Sequence, residues 1–240
     1  MPASTRTNRK RRKQMKNAFA ATVLAAMFAP PLFAQQIETT PRPAPAGAPQ
    51  SALEIGIGAG YSQGFGNIGP GSPSLTDLTH GGGELTLNVG WRVDPHWLVG
   101  VYGSGGLYTT GNAASNADSI WSVTAGAQAN YHFLPTAQWD PWVGLGAGWR
   151  GSFISKPGGS DTRHGLDLAR LQVGVDYRVS PEFSISPYVG ATLTTFLTQE
   201  LAQDQTFSNV RDPNVNVFVL GGIMGRFDVL GSSRTYVASN

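Results

Sequence analysis

The stretch LEIGIGAGYS, Leu53 to Ser62, decides how the rest of the chain is read. Leu53, Ile55, Ile57, Ala59 and Tyr61 hold the odd numbers, and Glu54, Gly56, Gly58, Gly60 and Ser62 hold the even ones. A period of two puts these sets on opposite faces of a pleated strand. The odd parity returns down the chain, predicting eight strands at 53–65, 83–93, 97–108, 119–133, 142–153, 166–179, 184–196 and 214–229. No charged residue interrupts the middle of any odd face. Asp167, the one charged odd position in these spans, falls near a strand end, where an interfacial position or a bulge would accommodate it.

Each segment is long enough to cross a bilayer, since twelve residues at ~3.3 Å rise, tilted about 45°, climb ~28 Å against an apolar band of about 25 Å. The predicted connections alternate in length. Those at 94–96, 134–141 and 180–183 are short, and those at 66–82, 109–118, 154–165 and 197–213 are longer and polar. Aromatic residues on the odd face form two groups. Trp91, Trp97, Tyr131, Phe133, Tyr177 and Phe227 lie toward the short turns; Tyr61, Phe65, Trp121, Trp149 and Phe153 lie toward the long loops. Two aromatic belts on one face fit the two interfaces of a membrane, whereas a soluble barrel with an inward apolar face has no cause to sort its rings this way. The expected fold is therefore all-β, an eight-stranded antiparallel up-and-down transmembrane barrel.

The N-terminus reads as an export signal, residues 1–34. Arg6, Arg9, Lys10, Arg11, Arg12, Lys13 and Lys16 precede an apolar run from Ala18 to Ala34, with Met15 an alternative start. Pro30 and Pro31 interrupt that run, which argues against an uncleaved span. The whole chain has 17 basic and 15 acidic residues; with seven basic residues in the signal, 10 against 15 remain, a net of −5. The alkaline isoelectric point thus gives no reason to expect a nucleic-acid partner. There is no cysteine, which excludes disulfides and thiolate chemistry. Residues 35–52, with Pro41, Pro43, Pro45 and Pro49, read as a flexible linker, 53–229 as the barrel, and 230–240 as a short tail.

Across 53–229 the chain resembles the small eight-stranded outer-membrane barrels of OmpA/OmpX type, by architecture and without a short diagnostic motif. The resemblance implies a bacterial outer membrane, insertion from the periplasm with both termini inside, and long loops at the cell surface. The partners it implies are outer-membrane lipids and, during insertion, periplasmic chaperones and the barrel-assembly machinery. An assembly signal in the last strand would be carried by Val219, Ile223 and Phe227; family barrels usually end on the aromatic residue, and here Asn240 lies further on.

The even positions form a second coherent set. Glu84, Arg92, Arg150, Arg170, Asp176, Arg178, Arg226 and Asp228 are expected to face inward and pair, for example Arg178 or Arg226 with Asp176 or Asp228, because a lone ion away from water costs several kcal/mol. Tyr102, Trp142, Tyr188, Phe218 and Met224 are also even and could fill the interior against glycines. The glycine-rich segments 55–61 and 143–149 superficially suggest a nucleotide loop, but no amphipathic helix follows either, so they read as strand. His80 and His164 belong to the loop end and His96 and His132 to the turn end, so no three histidines converge and no metal or cofactor is expected.

Lipid A deacylases would need a His/Ser/acid cluster facing lipid, and no odd-face position in the predicted strands is histidine. Lipid A palmitoyltransferases would need an apolar pocket in the outer interior, where the even positions look mostly glycine or polar. The expected function is a non-enzymatic envelope barrel presenting surface loops for adhesion or other contacts, with a narrow porin-like channel as the alternative and a lipid A enzyme third. No motif in the loops names a surface ligand.

Overall fold

Inward and outward faces alternate along nine antiparallel strands in the computed structural model, which describes residues 48–49, 51–202 and 206–231. The predicted export signal, most of the linker and most of the tail lie outside the described residues. The strands are β1 (Leu53–Phe65), β2 (Thr79–Arg92), β3 (Trp97–Thr110), β4 (Ser119–His132), β5 (Trp139–Lys156), β6 (Gly159–Ser180), β7 (Phe183–Glu200), β8 (Phe207–Asn209) and β9 (Val215–Val229). Neighbours pair in chain order from β1 to β6, β9 pairs with both β1 and β7, and pairing of β6 with β7 closes the ring. Eight strands are staves of a closed barrel. The ninth, β8, adds three residues to the outer end of β7.

Closure pairs each of the eight staves on both sides, the condition for a sheet in hydrocarbon. The outer surface is apolar over its height: Leu85, Leu87, Val99, Val101, Leu145, Leu171, Val173 and Val189 are exposed, although each would be core in a water-soluble protein. Among the described residues no helix is long and apolar enough to cross a membrane. Among the described residues two short helical pieces occur in the loops. One is α1 (Leu75–Leu78), where Ser74 Oγ accepts the Asp77 amide at 3.1 Å, and the other a 3-10 turn (Asn112–Ala114).

Three departures from the predicted strands have physical causes. The long connection expected at 154–165 is instead a tight turn at Pro157 and Gly158, with Lys156 directly opposite Gly159 and Gly158 at φ 99°. Residues 159–165 escaped the pattern because both faces of the hairpin are polar. Strand β7 likewise runs four residues beyond its predicted end at 196, so the expected 197–213 loop is shortened and partly paired. The third departure is parity itself. Register shifts between Gly146 and Gly148 and between Asp167 and Ala169 turn even-numbered Leu166 and Leu168 outward and Asp167 inward, where it is 1% exposed. A bulge reverses the alternation beyond it.

The short turns use local chemistry: Asp94 Oδ1 accepts the amides of His96 (2.7 Å) and Trp97 (2.9 Å). At the same end, Ala52 is fully buried with its carbonyl accepting the Arg92 amide, and the Ala48 amide donates to Pro135 at 2.7 Å. The end of the predicted linker is therefore packed against the turn end of the barrel.

Candidate functional site: the filled interior

Going from the turn end to the loop end, the interior changes from ionic to aromatic to apolar. At the turn end, Glu54 lies between two arginines: Arg92 Nη2 donates to its Oε2, and Arg226 Nη1 to its Oε1 at 2.7 Å. Arg178 donates to Asp228 at 3.1 Å, Arg92 Nε is 3.6 Å from the same carboxylate, and Arg226 Nε is 3.4 Å from Asp176. His132 Nδ1 lies 2.8 Å from Asp140 and 3.7 Å from Asp176. The connected set therefore holds four carboxylates, three guanidiniums and one imidazole, all buried. Glu54, His132 and Asp140 complete it; none of the three is in the charge network expected from the sequence, although His132 belongs to the even, inward-facing set. Glu54 and His132 are even-numbered strand residues, and Asp140 lies just before the predicted start of its strand.

In the middle, bulky side chains meet glycines. A Cβ on Gly174 would come within 2.7 Å of the Trp142 ring, one on Gly126 within 2.7 Å of Tyr102, and one on Gly56 within 2.8 Å of Met224 Sδ. These glycines leave the space that Trp142, Tyr102 and Met224 occupy. Trp142, Tyr188, Leu220 and Met224 form one buried cluster, and Trp142 Nε1 donates to Ser186 at 2.9 Å. Arg170 lies over the Tyr102 ring at 4.2 Å, and Arg226 over Trp142 at 4.4 Å. Glu84 and Arg170 are both buried, yet among the described residues neither forms an ion pair. Higher up, Arg150 is held by Asp167 through Nε at 2.9 Å and Nη2 at 3.2 Å, Thr194 donates to Asp167 at 2.6 Å, and Arg150 stacks on Phe218 at 4.1 Å.

The loop end is an apolar core. Ile120, Ile154, Phe196 and Phe218 point inward and pack with Ile68, Leu75, Leu78, Ala114 and Val210 from the loops. This corrects the expectation of a glycine-rich or polar outer interior. Phe218 is one of the expected interior fillers; the signal not used was Ile120, Ile154 and Phe196, three large even-numbered residues at strand ends, complemented by loop residues that no periodicity marks. The space left among Leu75, Leu78, Tyr108, Phe196 and Phe218 is about 30 Å³, room for solvent but not for an acyl chain.

On the outer surface, the turn-end belt brings Trp97 to Tyr131 at 5.0 Å, Tyr131 to Phe133 at 5.1 Å, and Phe183 to Phe227 at 4.8 Å. Trp139 joins Tyr177 at 4.6 Å, and Trp91 stands exposed in the same belt. At the loop end Trp121 stacks on Phe153 at 4.0 Å, with Tyr61, Phe65 and Trp149 exposed. Val219, Ile223 and Phe227 all face outward on β9.

A second correction concerns His164. Beyond the bulge it stacks on Trp149 at 5.5 Å and neighbours Phe153 and Phe207, so a histidine does stand in the outer aromatic belt. Among the described residues its buried Nδ1 has no hydrogen-bond partner. Above this belt the β5–β6 hairpin is clasped by Asp161, which accepts from Lys156 and, at 3.0 Å, from the Ala202 amide. Burial pushes the Asp161 carboxyl up, but these donors outweigh it and hold it below the usual carboxylate range.

Comparison with known proteins places this architecture. No curated protein matches the chain. Among solved structures it is similar to the outer membrane protein OprG of Pseudomonas aeruginosa, with 14% identity over 76% of this chain and 99% of that one, and a TM-score of 0.49. It is also similar to Neisserial surface protein A, with 17% identity over 73% and 96% and a TM-score of 0.47. The outer membrane enzyme PagL is similar at 12% identity over 72% and 98%, with a TM-score of 0.35. The outer membrane protein beta-barrel domain family matches residues 20–221, most of the chain, and the protein belongs to that family of the bacterial outer membrane.

Proposed function

We propose that this protein is a non-enzymatic envelope barrel whose closed interior anchors loops used for contacts at the cell surface. The observation that carries this reading is the packing of the loop-end core, where Ile68, Leu75, Leu78, Ala114 and Val210 from three connections share one cluster with inward strand residues. Side chains that fix loops to a barrel give those loops a defined surface, which recognition needs, and they fill the space a solute path would need. The partners in this reading are outer-membrane lipids around the barrel, with chaperones and the assembly machinery during insertion. Both termini lie in the periplasm and the long loops outside.

Two measurements test it. The refolded mature chain in a planar bilayer should show no stable conductance, and reproducible openings would make the narrow channel the better reading. Because the native chain has no cysteine, single cysteines report topology cleanly. Asn116→Cys, in an exposed stretch at the loop end, should react with an impermeant maleimide on intact cells, while Glu182→Cys, in an exposed turn, should react only after permeabilisation. The reverse pattern would overturn the orientation.

A further inference from the structure

The ionic turn end contains a subset whose charges its own partners do not balance. Asp140 on β5 and Asp176 on β6 are direct cross-strand neighbours, both inward and both 1% exposed, and like charges so placed repel. His132 on β4 faces them both. Its Nδ1 is 2.8 Å from Asp140 Oδ2 and 3.7 Å from Asp176 Oδ2, and one ligating atom from each residue lies within 4.8 Å of the others. The surrounding network has four carboxylates for three guanidiniums, so with a neutral imidazole it holds an excess negative charge.

We propose that His132, Asp140 and Asp176 form a binding site for one divalent transition cation of the zinc type. An imidazole nitrogen with two carboxylates is a donor set for such borderline ions, which bind N and O at about 2.0–2.2 Å and so place their ligands roughly 3–4 Å apart. The second atoms of both carboxylates are oriented as an outer shell would orient them. The Leu134 amide donates to Asp140 Oδ1 at 2.9 Å, and Arg226 Nε lies 3.4 Å from Asp176 Oδ1, so that Oδ2 of each residue is turned to His132. An independent observation points to a ligand: among the described residues buried Asp176 receives no hydrogen bond on either oxygen, its one ion-pair contact besides His132 being the long one to Arg226 Nε at 3.4 Å. A buried carboxylate left in this way is costly, and a cation between Asp140 and Asp176 removes both that cost and their repulsion. Searching the chain for converging histidines cannot find this site, because it uses only one.

The test refolds the mature chain in detergent with zinc chloride present, removes free metal by gel filtration, and measures bound zinc by elemental analysis. Folding is checked by heat-shifted gel mobility. About one zinc per folded chain is expected, falling at least tenfold in His132→Asn and in Asp176→Asn and unchanged in His80→Gln and His164→Gln. Absence of zinc from the folded native chain, or its retention in folded His132→Asn and Asp176→Asn, overturns the site. Should either variant fail to fold, zinc-edge X-ray absorption of the native protein decides. One imidazole with oxygen ligands supports the assignment, and two or more imidazoles overturn it.

Discussion

The two ends of the barrel interior are filled by opposite chemistry. The turn end buries a network of Glu54, Asp140, Asp176 and Asp228 with Arg92, Arg178, Arg226 and His132, whereas the loop end buries isoleucine, leucine and phenylalanine. The ionic end overcomes a large desolvation cost only while each group keeps its partners, so its stability is collective and fragile to single losses. The apolar end gains in proportion to area buried, and each residue contributes more independently. The ionic end is also built from strand residues and the apolar end partly from loops. One end therefore organises the barrel, and the other organises what the barrel displays.

The sharpest break of that contrast is Glu54→Gln. Glu54 bridges Arg92 and Arg226, which are 0% and 1% exposed, so its loss leaves these buried cations only their longer contacts to Asp228 (3.6 Å) and Asp176 (3.4 Å) and should cost about 3 kcal/mol. Urea unfolding of the refolded barrel in detergent reads this directly, and an unchanged midpoint would show that the ionic end is not held collectively. Next in size is Phe196→Ala, a cavity in the apolar end that should cost about 3 kcal/mol. Here limited proteolysis should find new cuts in the loops at 66–78 and 210–214, while the turn end stays protected. Between the two ends stands Arg170, buried over Tyr102 and lacking an ion pair among the described residues, with Nε and Nη2 free of hydrogen bonds. Arg170→Met keeps the bulk and removes the charge, so the unfolding midpoint should hold or rise by about 1 kcal/mol. A loss as large as that of Glu54→Gln would show that the ionic network extends further up the barrel.

The same contrast explains what could be read from the chain before its structure. Strand parity exposed the fold and the turn-end arginines because lipid on one side and packed interior on the other force a strict period of two. Parity failed at Leu166, Asp167 and Leu168, where bulges shift register without a sequence mark, and this hid His164 in the outer belt. It also failed above the membrane, where Ser160 and Thr162 on one face and Asp161 and Arg163 on the other are all polar, and no apolar row records the hairpin. The loop-end core was unreadable for a different reason. Leu75, Leu78 and Val210 meet Phe196 and Phe218 only after closure, and nothing local predicts so long a contact. Glu54 was visible as an even residue in the opening stretch. Its bridging role was not, because β1 meets β9 only when the ring closes.

The smallest effect lies beyond both ends, in the β5–β6 hairpin, where the Asp161 clasp is the only charge pairing at the tip among the described residues. Because the folded Asp161 carboxyl titrates below its unfolded value, near 3.9, its contribution is present above that pH and is lost as pH falls through the lower folded value. Lys156 is partly exposed and screened, so the contribution should stay below about 1 kcal/mol. Hydrogen exchange of amides at 155–161 should therefore lose protection as pH falls below about 4, after correction for intrinsic rates. In Asp161→Asn the loss of protection should already be present at neutral pH and should not grow on acidification. Identical pH profiles in native and variant barrels would show that the tip is held by its tight turn and strand ladder alone, and that the ionic character of this barrel ends inside it.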